Sequence, residues 1–429
     1  MSNNMQKPFA SATTPVDSAC PIDHTAWSRQ KTASISDPTA ATDEPSGPPI
    51  ERDADGTWHV RGFQEARAIL RHDSTKQAGF NAQQIEQVAG FLKPAILYQE
   101  GQTHHQQRKQ TARFFTPKAV DSNYRQLMEQ LTDELLSELQ RNKQVNLSAI
   151  SFKLAIGVAA QIVGLTNSRN SRINKRLDAF FSNPSPVTDL PAWHPKLLAA
   201  TFVAMRCQLN FYLNDVRPAI RARRWQPKDD LISYMLSQKA RDRDIHIECV
   251  TYAAAGMVTT REFINLAAWH FLEQPALRVR YLAAPEAERY LILEEILRID
   301  PIVGHLYRRA TEDFTIETDG TTVTIAKGDL IQLHTYAINT DPKVVTEQPR
   351  AICPNRELHA ERAPASLMGF GDGAHRCAGL YIAIQESDIF LQRLLALDNL
   401  FIQQLPEVWW NGVTTGYEIR NFMLALAYH

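Results

Sequence analysis

The residues from Glu248 to Glu273 constrain this chain most. They read as one long apolar helix, about 35–40 Å at ~1.5 Å per residue, stopped by Pro275. A helix apolar all round belongs in a core. Its middle is unusually small, with Ala253, Ala254, Ala255 and Gly256 in succession.

Other helices follow from periodicity. Phe63 to Arg71 places Phe63, Ala66, Ile69 and Leu70 on one side. Tyr124 to Leu139 repeats Tyr124, Leu127, Met128, Leu131, Leu135 and Leu139, and Val145 to Val163 continues as buried helix. A further helix starts at Pro285, where a missing N–H costs nothing, and runs to Ile299. A short apolar helix fits Ile85 to Phe91, and the Pro-rich stretch from Asn183 to Pro195 separates two more helices. After Pro301 the period becomes two: Phe314 and Ile316, Val323 and Ile325, Leu330 and Leu333, with turns at Asp319-Gly320 and Lys327-Gly328. With Trp58 to Val60 as a short strand, the expectation is a mainly α fold with a small β region. Residues 1–49, rich in Ser, Thr, Ala, Pro and Asp, read as a flexible leader, and 50–429 as a single domain. A metal reading of Cys20 and His24 in the leader is poor, because no further ligands lie nearby.

Composition excludes several function classes. The 429 residues are 44% hydrophobic and 22% charged, and the net charge of -1 favours neither nucleic acid nor an anionic membrane. No apolar run is long enough to span a bilayer, and the N-terminus lacks a secretory pattern. The five scattered cysteines (Cys20, Cys207, Cys249, Cys353, Cys377) argue against a disulfide framework and for a reducing compartment.

One cysteine stands apart. Phe370 to Gly379 reads Phe-Gly-Asp-Gly-Ala-His-Arg-Cys-Ala-Gly, and a helical pattern follows through Leu380, Ile384, Ile389, Phe390 and Leu394. Cys377 lacks a Cys-x-x-Cys partner, so it is no zinc half-site. At a helix N-terminus the dipole and free N–H groups favour a thiolate, as an axial ligand to haem iron requires. Taken alone, a single cysteine is equally a small buried hydrophobe.

The full string Phe-Gly-x-Gly-x-His-x-Cys-x-Gly resembles the cysteine loop of the cytochrome P450 family, the haem-thiolate monooxygenases. Three further motifs in the same order strengthen the resemblance, which spans Trp58 to His429. It implies a P450-like fold, haem b bound through Cys377 by a loop that includes Phe370, Gly371 and Gly379, and O2 as co-substrate. Glu295 and Arg298, three apart on one helix, resemble the buried pair that supports the loop, with Arg356 as its third member. His104, Arg108, Arg308 and His375 resemble the groups that meet the two haem carboxylates, which are costly to bury unpaired. On composition alone, the polar stretch carrying His104 and Arg108 reads as a solvated helix face.

The long helix carries Ala255-Gly256-Met257-Val258-Thr259-Thr260, where the family reads Ala-Gly-x-acid-Thr. The small pair implies room for dioxygen, and Thr259 the hydroxyl that assists its activation. Val258 replaces the acid that relays protons. Either water, Thr260 or Glu262 sustains that delivery, or the chemistry differs: peroxide-driven oxidation, phenol coupling or desaturation. A haem protein that only senses a ligand is a further alternative.

The resemblance also implies a hydrophobic small-molecule substrate. Its pocket would draw on Gln77 to Tyr98, Asn183 to Pro195, Ala255, Val258, Ile302 to Leu306 with His305 as the polar group, and Phe422-Met423. No dinucleotide-binding glycine motif follows a strand. Electrons from NAD(P)H are therefore expected through a ferredoxin- or flavodoxin-type donor and its reductase. A basic face of Arg108, Lys109, Arg113, Lys118 and Arg376 would suit an acidic donor, and reads equally as a solvated surface. A cytoplasmic monomer without a membrane anchor or nucleic-acid partner, acting in secondary metabolism, completes the expectation.

Overall fold

The structure, a computed structural model, describes residues 47–83, 86, 93–169, 172–181, 195–412 and 414–427. The leader up to residue 46, with Cys20 and His24, lies outside them. So do most of the 85–91 stretch and the 183–194 break.

The long helix is the spine, and it is longer than its apolar stretch. It starts at Asp242, where Asp242 and Asp244 sit favourably in the first turn, and reaches Glu273. Its regularity breaks once, in a π turn at Ala254–Val258, which the small residues there accommodate. From Thr260 to Phe271 every residue is buried, including Arg261, Glu262, Asn265 and His270.

Helices Pro117–Asn142, Leu147–Val163, Glu286–Ile299 and Leu380–Leu395 pack around this spine into the larger core. Thr116 caps the first by accepting from Ala119 N at 3.2 Å, with Pro117 at its first position. Pro275, which ends the spine, starts helix Pro275–Ala283. Helix Pro195–Phe211 continues through a π turn at Tyr212–Val216 into Arg217–Trp225.

A second core lies under a five-stranded sheet. Its order is Ile50–Arg52, Trp58–Val60, Leu330–His334, His305–Ala310, Thr75–Gln77. Helix Phe63–Arg71 packs its buried Phe63, Ala66, Ile69 and Leu70 into this core. Strands Phe314–Thr318 and Thr321–Ile325 form the expected hairpin around Asp319-Gly320. Strands Glu407–Asn411 and Gly416–Arg420 pair as a second hairpin. No helix among the described residues is long and apolar enough to cross a membrane.

Candidate functional site

Cys377 precedes helix Leu380–Leu395. The backbone N–H groups of Gly379 and Leu380 approach its sulfur and favour the thiolate, as do the charges of Arg108 and Arg376. Burial outweighs them and pushes the free thiol above its ordinary value. Yet Cys377 also keeps accessible surface. Both hold because the residue is surrounded by the fold yet is not closed off from solvent.

The loop before it is tightly wound. Cys377 N donates to Phe370 O at 2.9 Å, and Arg376 N to Gly373 O at 3.1 Å. Gly371 and Gly373 both have positive φ, +67° and +68°. At Gly373 a Cβ would stand 2.0 Å from Leu70 O, so only glycine lets the loop lie against helix Phe63–Arg71.

Behind the loop, Glu295 uses both carboxylate oxygens. Arg298 donates Nε to one and a terminal nitrogen to the other, each at 2.9 Å, and Cys353 N donates to the second at 3.0 Å. Arg298, fully buried, also donates to the carbonyls of Asn339, Pro349 and Ala351. Arg356 stands 3.6 Å from Glu295, an ion-pair contact without hydrogen-bond geometry. The three residues therefore meet, and the carbonyls they hold belong to the segment leading toward the cysteine loop.

The four groups expected at the haem carboxylates converge from three segments. His104 and Arg108 lie on helix Gly101–Thr111, which is less solvated than its composition implies: His104 and Thr111 are buried. The rings of His104 and His375 stack at 4.3 Å. His104 Nδ1 is buried without a hydrogen-bond partner, and burial followed by the charge of His375 lowers its pKa to about 4. Arg308, buried, donates to Gln77 Oε1 at 3.0 Å, and burial lowers it to about 10. Arg309, its neighbour, instead donates to Gly328 O at 2.8 Å on the surface. Arg108 donates to Arg376 O at 2.5 Å, next to the cysteine.

One member of this cluster was not foreseen. Glu100 accepts from Gln77 N at 2.7 Å and contacts His375 Nε2 at 2.9 Å. Burial works to raise its pKa, but His375, Gln77 and Arg308 outweigh that and hold it below the usual carboxylate value. Glu100 lies one helical turn before His104, a spacing that placed it within reach.

On the spine, Ala255 is exposed although Ala253, Met257 and Val258 are buried. Thr259 Oγ1 donates to Ala255 O at 2.5 Å, within the π turn. Glu262 does not stand in for an acid at Val258. Arg261 Nε holds one of its oxygens at 2.6 Å and Ile419 N the other at 2.6 Å, so it ties the spine to strand Gly416–Arg420.

Three pocket expectations shift. His305 packs on His334, with ring centroids 4.9 Å apart, and near Trp410. Strand alternation puts it on the face opposite Leu306, whose side chain lies 3.9 Å from the Cβ position of Gly371. Leu306, not His305, thus faces the cysteine loop. Phe422 is fully buried, with its ring 6.3 Å from Trp269 and its carbonyl accepting from Leu147 N, and Met423 pairs with Asn146 and Gln404. Phe422 thus belongs to the helical core, whereas Met423, only partly buried, lies in a three-stranded sheet. Thr415 and Gly416 lie beside the buried Ile302 instead: Gly304 N donates to Thr415 O at 3.0 Å, and a Cβ on Gly416 would stand 1.9 Å from Ile302 O.

These residues fit an iron porphyrin. An accessible cysteine stands at a helix start, and an orphaned buried imidazole nitrogen sits among basic groups suited to two carboxylates. A small, accessible helix turn completes the set.

A family model described as Cytochrome P450 matches residues 291–405, the stretch from the helix of Glu295 through the cysteine loop. The biotin biosynthesis cytochrome P450 of Bacillus subtilis (strain 168) is 25% identical over 349 residues, covering 79% of this chain and 82% of that protein. The mycinamicin IV hydroxylase/epoxidase of Micromonospora griseorubida is 24% identical over 374 residues, 84% of each. The fold matches the crystal structure of CalO2 with a TM-score of 0.74 at 20% identity, over 95% of this chain and 99% of that one. It also matches P450BioI in complex with hexadec-9Z-enoic acid ligated acyl carrier protein, with a TM-score of 0.70 at 22% identity, over 88% and 94%. With its cysteine loop, its supporting ion pair and these relatives, the chain is similar to the cytochrome P450s, in sequence and in fold.

Proposed function

We propose that this protein inserts one oxygen atom from O2 into a hydrophobic small molecule of secondary metabolism. Electrons from NAD(P)H would arrive through a separate ferredoxin- or flavodoxin-type donor. The observation that carries this reading is Cys377, set at a helix start with the Gly379 and Leu380 N–H groups at its sulfur and still accessible. When bound there, haem supplies the oxygen-activating chemistry, with the thiolate favouring O–O cleavage.

The chain's own residues orient, neutralise and exclude water. His104, Arg108, Arg308 and His375 would hold the haem carboxylates, with Arg308 fixed in place by Gln77. Ala255 and Gly256 leave space on the spine, and the Thr259 hydroxyl carries a movable proton within the π turn. Leu306 and Ile302 would form an apolar wall against the substrate, with Thr415 and Gly416 packed beside Ile302. The relatives named for biotin, polyketide and mycinamicin biosynthesis support a biosynthetic substrate of that apolar kind. Lys109, Arg113, Lys118 and Arg376 are exposed, although Arg113 lies 3.5 Å from Asp229, and they offer a basic surface to the electron donor. The reaction would be run by a cytoplasmic monomer.

A second reading rests on Val258, buried where the family carries an acid. With Glu262 committed to Arg261 and Ile419, no acid adjoins Thr259 on its own turn. Peroxide-driven oxidation, phenol coupling or desaturation would follow from weak proton delivery. Reconstitution separates the two. Product with ferredoxin, reductase, NAD(P)H and O2 supports monooxygenation. Product with peroxide alone supports the second reading.

A further inference from the structure

The variable position inside Phe-Gly-x-Gly is Asp372 here, and its carboxylate is used from both sides. Within the loop, Asp372 Oδ1 accepts from Gly373 N at 2.6 Å. From helix Phe63–Arg71, Arg71 donates Nε and a terminal nitrogen to that oxygen at 3.1 and 3.0 Å. Arg67 Nε lies 3.3 Å from Oδ2, an ion-pair contact out of line for a hydrogen bond. Asp372 and Arg67 are only 14% and 12% exposed, so their attraction is less screened than a surface pair's. Arg67 is itself fixed: it donates to Glu361 O at 2.6 Å and to Arg362 O at 3.3 Å, and lies over the Phe63 ring. Only four residues separate Asp372 from Cys377, and the two internal turn hydrogen bonds leave little slack between them.

We infer that Asp372, clasped by Arg67 and Arg71, is a positioning residue that sets where the Cys377 sulfur sits. The contact between Leu70 O and Gly373 fixes the distance from helix to loop, because nothing larger than hydrogen fits between them. The ion pairs fix the loop's rotation about that contact, since they act on one side of it. The clasp borders a cleft of about 460 Å³ lined by Gln64, Arg67, Arg71, Glu361 and Arg362, so dissolved salt reaches it. This inference rests on the haem-thiolate reading above.

The test uses the haem-loaded protein, and the readout is the rate at which its reduced CO complex loses the thiolate signature. Asp372→Asn keeps an oxygen for Gly373 N but removes the charge, and should speed that loss roughly fivefold, the scale of one weakly screened ion pair. Asp372→Glu should restore most of the wild-type rate, and high salt should bring wild type toward Asp372→Asn. Arg71→Gln, at a half-exposed residue that does not threaten folding, should give a smaller change in the same direction. Should Asp372→Asn fail to fold, Arg71→Gln and the salt series decide. An unchanged rate, or a lower melting temperature with an unchanged rate, overturns the inference. A wild-type protein with no thiolate signature at all would overturn the haem-thiolate reading instead.

Discussion

Two buried glutamates, one on each side of the site, differ in how they are held. Glu295, behind the cysteine loop, has hydrogen bonds on both oxygens from Arg298 and Cys353. Glu248, on the spine, has only one oxygen engaged: Ile96 N donates to it at 3.0 Å and Gln107 Nε2 at 2.8 Å. Its other oxygen is buried without a partner. No arginine meets it, and burial raises its pKa to about 7. A buried carboxylate with a paired cation is a rigid strut. One without a cation sits near its protonation midpoint and can yield. The thiolate side is thus built to stay still, and the oxygen side, where Glu248 joins the 93–99 segment to the spine, is built to adjust.

The largest effect expected from breaking this contrast is at the rigid side's own centre. Cys377→Ala should abolish the thiolate-type reduced CO spectrum while leaving the fold, since Cys377 is accessible and belongs to neither core. A persisting spectrum would mean that another residue ligates the iron.

Next comes the strut. Glu295→Gln leaves Arg298 fully buried with its charge unpaired, and breaking such a pair costs about 3–5 kcal/mol. Denaturant titration of the haem-loaded protein should show that loss, together with weaker haem retention. A change below about 1 kcal/mol, the scale of an exposed pair, would show that the strut carries little.

Why one side was more legible than the other follows from the same contrast. The cysteine loop, Glu295 and Arg298 are local patterns: a glycine spacing forced by backbone geometry, and a pair three apart on a helix. Helix periodicity found Phe63–Arg71 and Glu286–Ile299 because each buries one face. The spine's polar start at Asp242 and its π turn left no apolar signal. Glu248, Asp372 and Thr415 matter through partners distant in sequence, such as Gln107 and Arg71, which spacing cannot reveal. His305 illustrates a related limit: which of a strand's two faces a residue takes is settled by the neighbouring strands.

On the adjustable side, Glu248 gives a pH-dependent prediction. Its folded pKa of about 7 stands above the ordinary 4.5 of a glutamate, so the folded state binds the extra proton more tightly. Stability should therefore fall as pH rises from about 4.5 to about 7, by about 3 kcal/mol from this group. Glu248→Gln, which carries no charge to desolvate, should flatten that part of the curve. An unchanged slope between pH 5 and 7 would mean that water or Lys93 compensates the ionised carboxylate.

The smallest expected effect is at Val258. Val258→Asp puts a carboxylate beside Thr259, at a position now 6% exposed. Burial will raise the new acid's pKa, which helps it carry protons near neutral pH but lowers stability. If proton delivery limits turnover, the ratio of product formed to NAD(P)H consumed should rise, by at most about tenfold, the equivalent of ~1.4 kcal/mol in the barrier. The solvent isotope effect on turnover should shrink with it. If instead neither the ratio nor the isotope effect moves, protons already reach Thr259 by water, and the valine only shapes the pocket. If product forms from peroxide in both proteins and from the electron donor in neither, the adjustable side serves the second reaction type. The comparison with Glu295 sharpens this test, because the thiolate side is identical in the two proteins and any difference must arise on the spine.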